Sequence, residues 1–263
     1  LRKKARWIKK FKDESRRLKD EDMFEIVEEV FDSITLGFIY RLETKKVIRE
    51  LKGVVSAGKE ARIYWAKGWD GRDLAIKIYL TATSDFKKSI RKYIEGDPRF
   101  ESIPEGNFRR LIYEWARKEF KNLKRMFDNG VRVPQPITFI GNVLVMSFIG
   151  EDGYRAPLLV EAINDLSLDE LQNIYYEVVE QVKRIVCNAR LIHADLSEYN
   201  IMIWDSKPWI IDVSQAVDHS HPRALEFLER DLENIQNFFS QYIEVEPIEN
   251  LRGEIEHCLL IVK

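Results

Sequence analysis

Residues 193–202 read His193-Ala194-Asp195-Leu196-Ser197-Glu198-Tyr199-Asn200-Ile201-Met202, and Asp212 follows in the apolar stretch Trp209-Ile210-Ile211-Asp212-Val213. H-x-D-x-x-x-x-N followed by an apolar run that ends in Asp is the layout of kinase-like phosphotransfer sites. The chemistry explains the residue types. One carboxylate must accept and orient the proton of an attacking hydroxyl, and an amide with a second carboxylate must hold a cation against nucleotide phosphates. Mg²⁺ takes one or two hard protein oxygens and leaves its other positions to water and phosphate. Asp195 is thus the candidate catalytic residue, and Asn200 and Asp212 are the candidate metal ligands. A turn rich in capping Asp and Asn accounts for H-x-D alone; it does not account for the full spacing between a helix and two apolar strands.

The next element outward is Lys77, in the apolar run Ala75-Ile76-Lys77-Ile78-Tyr79. An ammonium buried in a strand requires anionic partners, whereas a lysine on the solvated face of a half-exposed sheet requires none. The helix that follows supplies a partner. Ile112, Trp115, Leu123 and Met126 form one apolar face, and Glu119 lies in the middle of it. Glu119 is therefore the expected partner of Lys77, while Glu114 and the Lys and Arg residues of this helix read as solvated charges. Upstream, Gly53-Val54-Val55-Ser56-Ala57-Gly58-Lys59-Glu60 narrowly misses the Walker A pattern. Glu60 replaces the Mg²⁺-binding hydroxyl and a strand follows where that pattern needs a helix, so a Walker-type NTPase is rejected. Aligned on the kinase glycine-rich loop, the segment keeps the middle glycine and puts small residues at the outer two positions.

The rest of the chain is read as follows. A helix over about Asp22 to Ser33, closed by Gly37, precedes β structure from Gly53 to Tyr79 with a hairpin turn at Gly68-Trp69-Asp70-Gly71. Residues 80–107 are polar, carry Pro98 and Pro104, and read as a long functional or mobile loop whose Thr81, Thr83, Ser84, Ser89 and Ser102 offer hydroxyls for self-modification. Helix over 108–128, β from Val131 to Gly150, helix over 168–189, short strands at Ile201–Trp204 and Trp209–Val213, and helix from Arg223 to about Ile243 complete the reading. Composition excludes disorder and disulfide scaffolds: 263 residues, 45% hydrophobic and 33% charged, with a net charge of -2. No apolar run is long enough to span a bilayer, so a cytoplasmic, non-membrane protein is expected. Cys187 and Cys258, far apart in sequence, are expected to be two packed thiols in a reducing compartment. Charge is uneven. Residues 1–20 hold ten Lys and Arg against three acidic residues, which suits either a polyanion-facing arm or a solvated helix face.

Taken together, Ser56 to Ala61, Lys77, the run Trp115 to Leu123, His193 to Met202, Asp212 to Val217 and Arg230-Asp231 resemble the RIO family of atypical serine protein kinases. The S-x-G-K-E-A loop is similar to the subfamily without a winged-helix domain. The resemblance implies an α+β, two-lobed, protein-kinase-like fold with a truncated C-lobe, since 51 residues follow Asp212. It divides the chain into an N-terminal helical extension (1–50), an N-lobe with an insertion at 80–107 (51–146), and a C-lobe (147–263).

The resemblance further implies ATP as cofactor with Mg²⁺, Mn²⁺ being an alternative ion. Lys77 would contact phosphate with Glu119 as its partner, Ser56, Gly58 and Lys59 would form the phosphate loop, and Met146 would stand behind the base. Ser147, Phe148 and Ile149 would form the hinge, and Val55, Ile63, Ala75, Met202 and Ile211 an apolar sandwich for the base. ATPase turnover, autophosphorylation and a role in small ribosomal subunit maturation are implied as well. The pre-ribosomal small subunit and its rRNA would then be partners, facing the basic arm and the basic stretch 84–125. Two other readings share the motifs: a small-molecule kinase of the aminoglycoside or choline type, and a nucleotide-gated assembly factor with little transfer activity.

Overall fold

The computed structural model describes residues 32–80, 90, 93, 94 and 108–260. The basic arm, the Asp22 helix up to residue 31, and the hydroxyl-bearing positions of the 80–107 segment lie outside the described residues.

Helix α1 (Ser33–Thr44) begins at Asp32, whose side-chain Oδ1 accepts the N–H groups of Ile34 and Thr35 at 3.1 and 2.7 Å. Gly37, expected to close a helix, lies inside α1 instead. Ile39 and Leu42, both buried, carry α1 through that glycine because they pack on the sheet.

The sheet has five antiparallel strands: β1 (Ile48–Ala57), β2 (Ala61–Gly68), β3 (Asp73–Tyr79), β4 (Pro136–Ile140) and β5 (Val143–Ser147), in the order β1-β2-β3-β5-β4. β1 starts at Ile48, ahead of the Gly53 start read from the sequence. The β2–β3 hairpin turns at the expected Gly68–Gly71 segment. There Gly71, at φ +83°, takes a backbone conformation that favours glycine.

Strand β3 is buried on both faces, which is why it reads as a nearly continuous apolar run. Its alternation sorts the side chains. Leu74, Ile76 and Ile78 join Ile39, Leu42 and Tyr64 beneath α1, while Ala75 and Tyr79 join the larger core on the opposite face. Lys77 shares that second face.

Helix α2 (Phe108–Asp128) packs on β4 and β5 with Ile112, Trp115, Leu123 and Met126 inward. The hairpin β6 (Gly150–Glu151) and β7 (Tyr154–Arg155) follows β5, and then come the short α3 (Leu159–Ala162) and α4 (Leu168–Lys183). Ser167 and Glu170 form a reciprocal capping box at the start of α4. The long helix expected over 168–189 changes character at its end, where residues Arg184–Asn188 widen into a π turn.

Strand β8 (Leu191–Ile192) pairs with β11 (Val217–Asp218), and β9 (Ile201–Trp204) with β10 (Lys207–Ile210). β10 therefore starts two residues before the expected strand and stops short of Asp212. Helices α5 (Ala224–Phe239) and α6 (Ile248–Leu260) close the lower lobe. Cys187 in the π turn and Cys258 in α6 form a disulfide, with a Cα–Cα distance of 5.1 Å. This corrects the expectation of two thiols, because α6 docks against the π turn and brings together residues 71 apart in sequence. Among the described residues no helix is long and apolar enough to cross a membrane.

Candidate active site

Between the sheet and the lower lobe lies a cavity of about 240 Å³. Its lining brings together Val55, Ser56, Ile63, Ala75, Lys77, Glu119, Met146, Ser147, Phe148, Ile149, Asn200, Met202, Ile211 and Asp212, positions spread over most of the chain. Gly58 and Lys59, named with this set from sequence, stand on the exposed β1–β2 turn outside that lining. Leu123, Pro134, Arg155, Leu158 and Tyr199 also line it, and none of them carries a binding role in the sequence reading.

At the inner wall, Lys77 Nζ donates to Glu119 Oε1 at 2.8 Å and to Asp212 Oδ1 at 2.9 Å. Its side chain is 6% exposed and that of Glu119 1%, whereas Asp212 leaves about half of its side chain (49%) open to the cleft. Burial opposes the Lys77 charge, yet Asp212 and Glu119 outweigh it and hold the ammonium above the ordinary lysine pKa. Glu119 shifts upward, mainly through burial and with the Asp212 charge adding to it, against the pull of Lys77. Burial also raises Asp212, but Lys77, the Ser214 hydroxyl and His193 leave it below its usual value. Tyr79 donates its hydroxyl to the second oxygen of Glu119. The acidic partner expected for Lys77 is in place.

The 193–202 segment is held from three sides. Asp231 on α5 accepts the N–H groups of Ala194 and Leu196, each at 2.8 Å, one on each carboxylate oxygen. Burial pushes this carboxyl up to about 7, while the two backbone donors and Arg230 pull it down. Arg230 donates to the Ala194 carbonyl, and Asn234 Nδ2 to the Leu196 carbonyl at 3.0 Å. His193 Nε2 lies 3.1 Å from the Ile211 carbonyl, which ties this segment to the residue before Asp212. Ala194 and Asp212 both have left-handed backbone, at φ +68° and +54°, a conformation uncommon outside glycine that needs a surrounding framework to hold it.

Asn200 Nδ2 donates to the Asp195 carbonyl at 2.7 Å and lies 3.5 Å from its carboxylate. This bond commits the amide nitrogen and leaves Oδ1 as the atom of Asn200 that could take a cation. Asp212 uses Oδ1 for Lys77 and Ser214, so its Oδ2 is the atom left for a cation. One carboxylate oxygen and one amide oxygen suit a hard ion that keeps water and phosphate in its shell. No group of three or more His, Cys, Asp or Glu side chains able to hold a metal exists among the described residues.

Sequence reasoning missed a second set of contacts. Lys118, read as a solvated charge, is 1% exposed. It donates to the carbonyls of Ser214 and Ala216 at 2.7 and 2.6 Å. Asn122, one turn further along α2, donates to the carbonyls of Val213 and Ala216, each at 2.9 Å. The available signal was positional: both residues border the Trp115–Glu119–Leu123 face.

A five-stranded sheet with a helix carrying the partner of a buried strand lysine, set over a mostly helical lobe that holds the H-x-D segment, defines a protein-kinase-like fold. Within that class, the sequence profile of the RIO domain matches residues 62–250, and the chain belongs to the RIO family. It is 42% identical over 227 residues to the serine/threonine-protein kinase RIO1 of Caenorhabditis elegans, which covers 86% of this chain and 44% of that protein. It is 45% identical over 223 residues to the RIO-type serine/threonine-protein kinase Rio1 of Haloferax volcanii, covering 85% of this chain and 74% of that protein. The chain thus spans less than half of the worm relative's length. The fold is shared with the Rio2 kinase of Chaetomium thermophilum, solved as an ADP/Mg²⁺-phosphoaspartate complex, with a TM-score of 0.63 and 21% identity over 82% of this chain and 65% of that one.

Proposed function

We propose that this chain is an ATP-dependent serine/threonine protein kinase of the RIO type that also hydrolyses ATP and phosphorylates itself. The observation that carries this reading is the Lys77 ammonium between Glu119 and Asp212, facing a cavity that Asn200 also lines. Lys77 binds nucleotide phosphate, and Val55, Ile63, Ala75, Met146, Met202 and Ile211 flank the base, with Ser147 to Ile149 as the hinge. Asn200 Oδ1 and Asp212 Oδ2 hold Mg²⁺, which when bound neutralises the charge that develops on the phosphates. Asp195 orients the acceptor hydroxyl and takes its proton. The names of the relatives support the kinase assignment, and the S-x-G-K-E-A loop supports the subfamily without a winged helix. A role in small ribosomal subunit maturation, with rRNA as a contact and the cytoplasm as location, rests on the family resemblance and on the basic arm at residues 1–20.

The decisive test is Asp195→Asn, which leaves the metal ligands and the nucleotide walls intact. ATP affinity by calorimetry should stay within about threefold, while transfer of labelled phosphate should fall by at least about 10²-fold, the low end for loss of a general base. Transfer at the wild-type rate by the variant would refute the assignment of Asp195.

A further inference from the structure

The residues after Asp212 have no regular secondary structure until β11; within them the Ala216 N–H donates to the Val213 carbonyl at 3.2 Å, and further donors to the Val213, Ser214 and Ala216 carbonyls come from α2. Two buried side chains of α2 supply them. Lys118 bridges the Ser214 and Ala216 carbonyls, and its ammonium also stands 4.8 Å from the centre of the Trp115 ring. Asn122 bridges the Val213 and Ala216 carbonyls. Burying an ammonium is costly unless it is hydrogen-bonded, and here the two carbonyls supply those bonds. Lys118 is next to Glu119, the partner of Lys77, so neighbouring residues of one helix grip the phosphate-facing lysine and the loop that presents Asp212.

We propose that Lys118 and Asn122 are positioning residues that hold the 213–216 loop so that Asp212, at its left-handed φ, keeps an oxygen turned to the cation. The inference rests on the phosphotransfer reading above and assigns that reading a device for metal affinity. Its second consequence is that α2 cannot swing away from the sheet without dragging the Asp212 loop along, so the site is assembled without an added signal.

The test compares wild type with Lys118→Met, which keeps length and removes the donors, and with the milder Asn122→Ser. ADP binding is measured by calorimetry with and without Mg²⁺, Mn²⁺ binding to the ADP complex by electron paramagnetic resonance, and thermal unfolding alongside. Metal-free ADP affinity should stay within about twofold, while the gain in affinity that Mg²⁺ provides should shrink about tenfold. The half-saturating Mg²⁺ for phosphoryl transfer should rise by a similar factor, and the rate should recover at high Mg²⁺, which a purely structural role would not produce. An unaltered Mg²⁺ dependence in whichever variant folds overturns the proposal, even if melting temperature falls. If wild type binds ADP with no dependence on Mg²⁺ or Mn²⁺, the phosphotransfer reading itself fails, a result distinct from wild-type metal dependence that the variants share.

Discussion

Lys77 is the residue on which the cleft turns, because two carboxylates from distant parts of the chain meet on one ammonium. Removing Lys77 leaves Glu119 and Asp212 as uncompensated charges, and removing Glu119 leaves Lys77 held by Asp212 alone. The losses in activity of Lys77→Met and Glu119→Gln should therefore fail to add, with a coupling of about 0.5–3 kcal/mol, typical of contacting residues. A double-mutant cycle on the transfer rate measures it, and strict additivity would reject a functional pair. His193 makes a second prediction at this scale. Burial lowers its pKa from the usual 6.5 to about 4, so the native protein holds it neutral. Between those values the unfolded chain binds the proton on this residue and the native one does not, so the His193 contribution to stability rises with pH. The contribution is fully present above about pH 6.5 and drains away toward pH 4, a loss on the order of 3 kcal/mol. Asp231, pushed up to about 7, works in the opposite direction over the same range, so the measure is the difference in urea unfolding between wild type and His193→Gln at pH 7.5 and 5, which should move in favour of the variant as the pH falls.

Among the elements, β3 and α2 were legible because period-2 and period-3.6 apolar patterns are local, and together they yield the Lys77–Glu119 pairing. The H-x-D segment was legible because its spacing is short and fixed. Lys118 and Asn122 were not. A helix pattern shows which residues border the apolar face, but not that an irregular loop some 90 residues later turns its carbonyls toward them. Gly37 misled for a related reason: a glycine stops a helix only when packing allows it, and Ile39 and Leu42 anchor α1 beyond it. The cysteine pair was illegible too, since the docking of α6 on the π turn is a tertiary event. The bond closes a loop of 71 residues, for which chain entropy gives about 4 kcal/mol and observed values mostly run about 2–4. Reduction, or Cys187→Ser with Cys258→Ser, should lower stability by that amount in guanidinium unfolding. Neither cysteine lines the cavity, so nucleotide affinity should change by less than about twofold. A large loss of affinity would mean that α6 supports the cleft.

At the scale of the whole molecule, the cavity draws its walls from both lobes: Ile63, Ala75 and Met146 from the sheet, and Met202, Ile211 and Asp212 from below. A ligand that touches both should stabilise the chain as a unit. At a hundred times its dissociation constant, MgATP should add about 2.7 kcal/mol, which for a chain of this size raises the melting temperature by roughly 5–10 °C. Thermal scans with a non-hydrolysable analogue would measure it, and a shift confined to one of two transitions would mean that the lobes unfold separately. The carbonyls that receive Lys118 suggest a last consequence. Backbone oxygens gathered in this way are what a potassium or sodium ion seeks elsewhere, and here the cation is covalently part of the chain. A tethered ion cannot be diluted, exchanged or competed away, so the shape of the Asp212 loop is indifferent to the alkali-metal content of its surroundings.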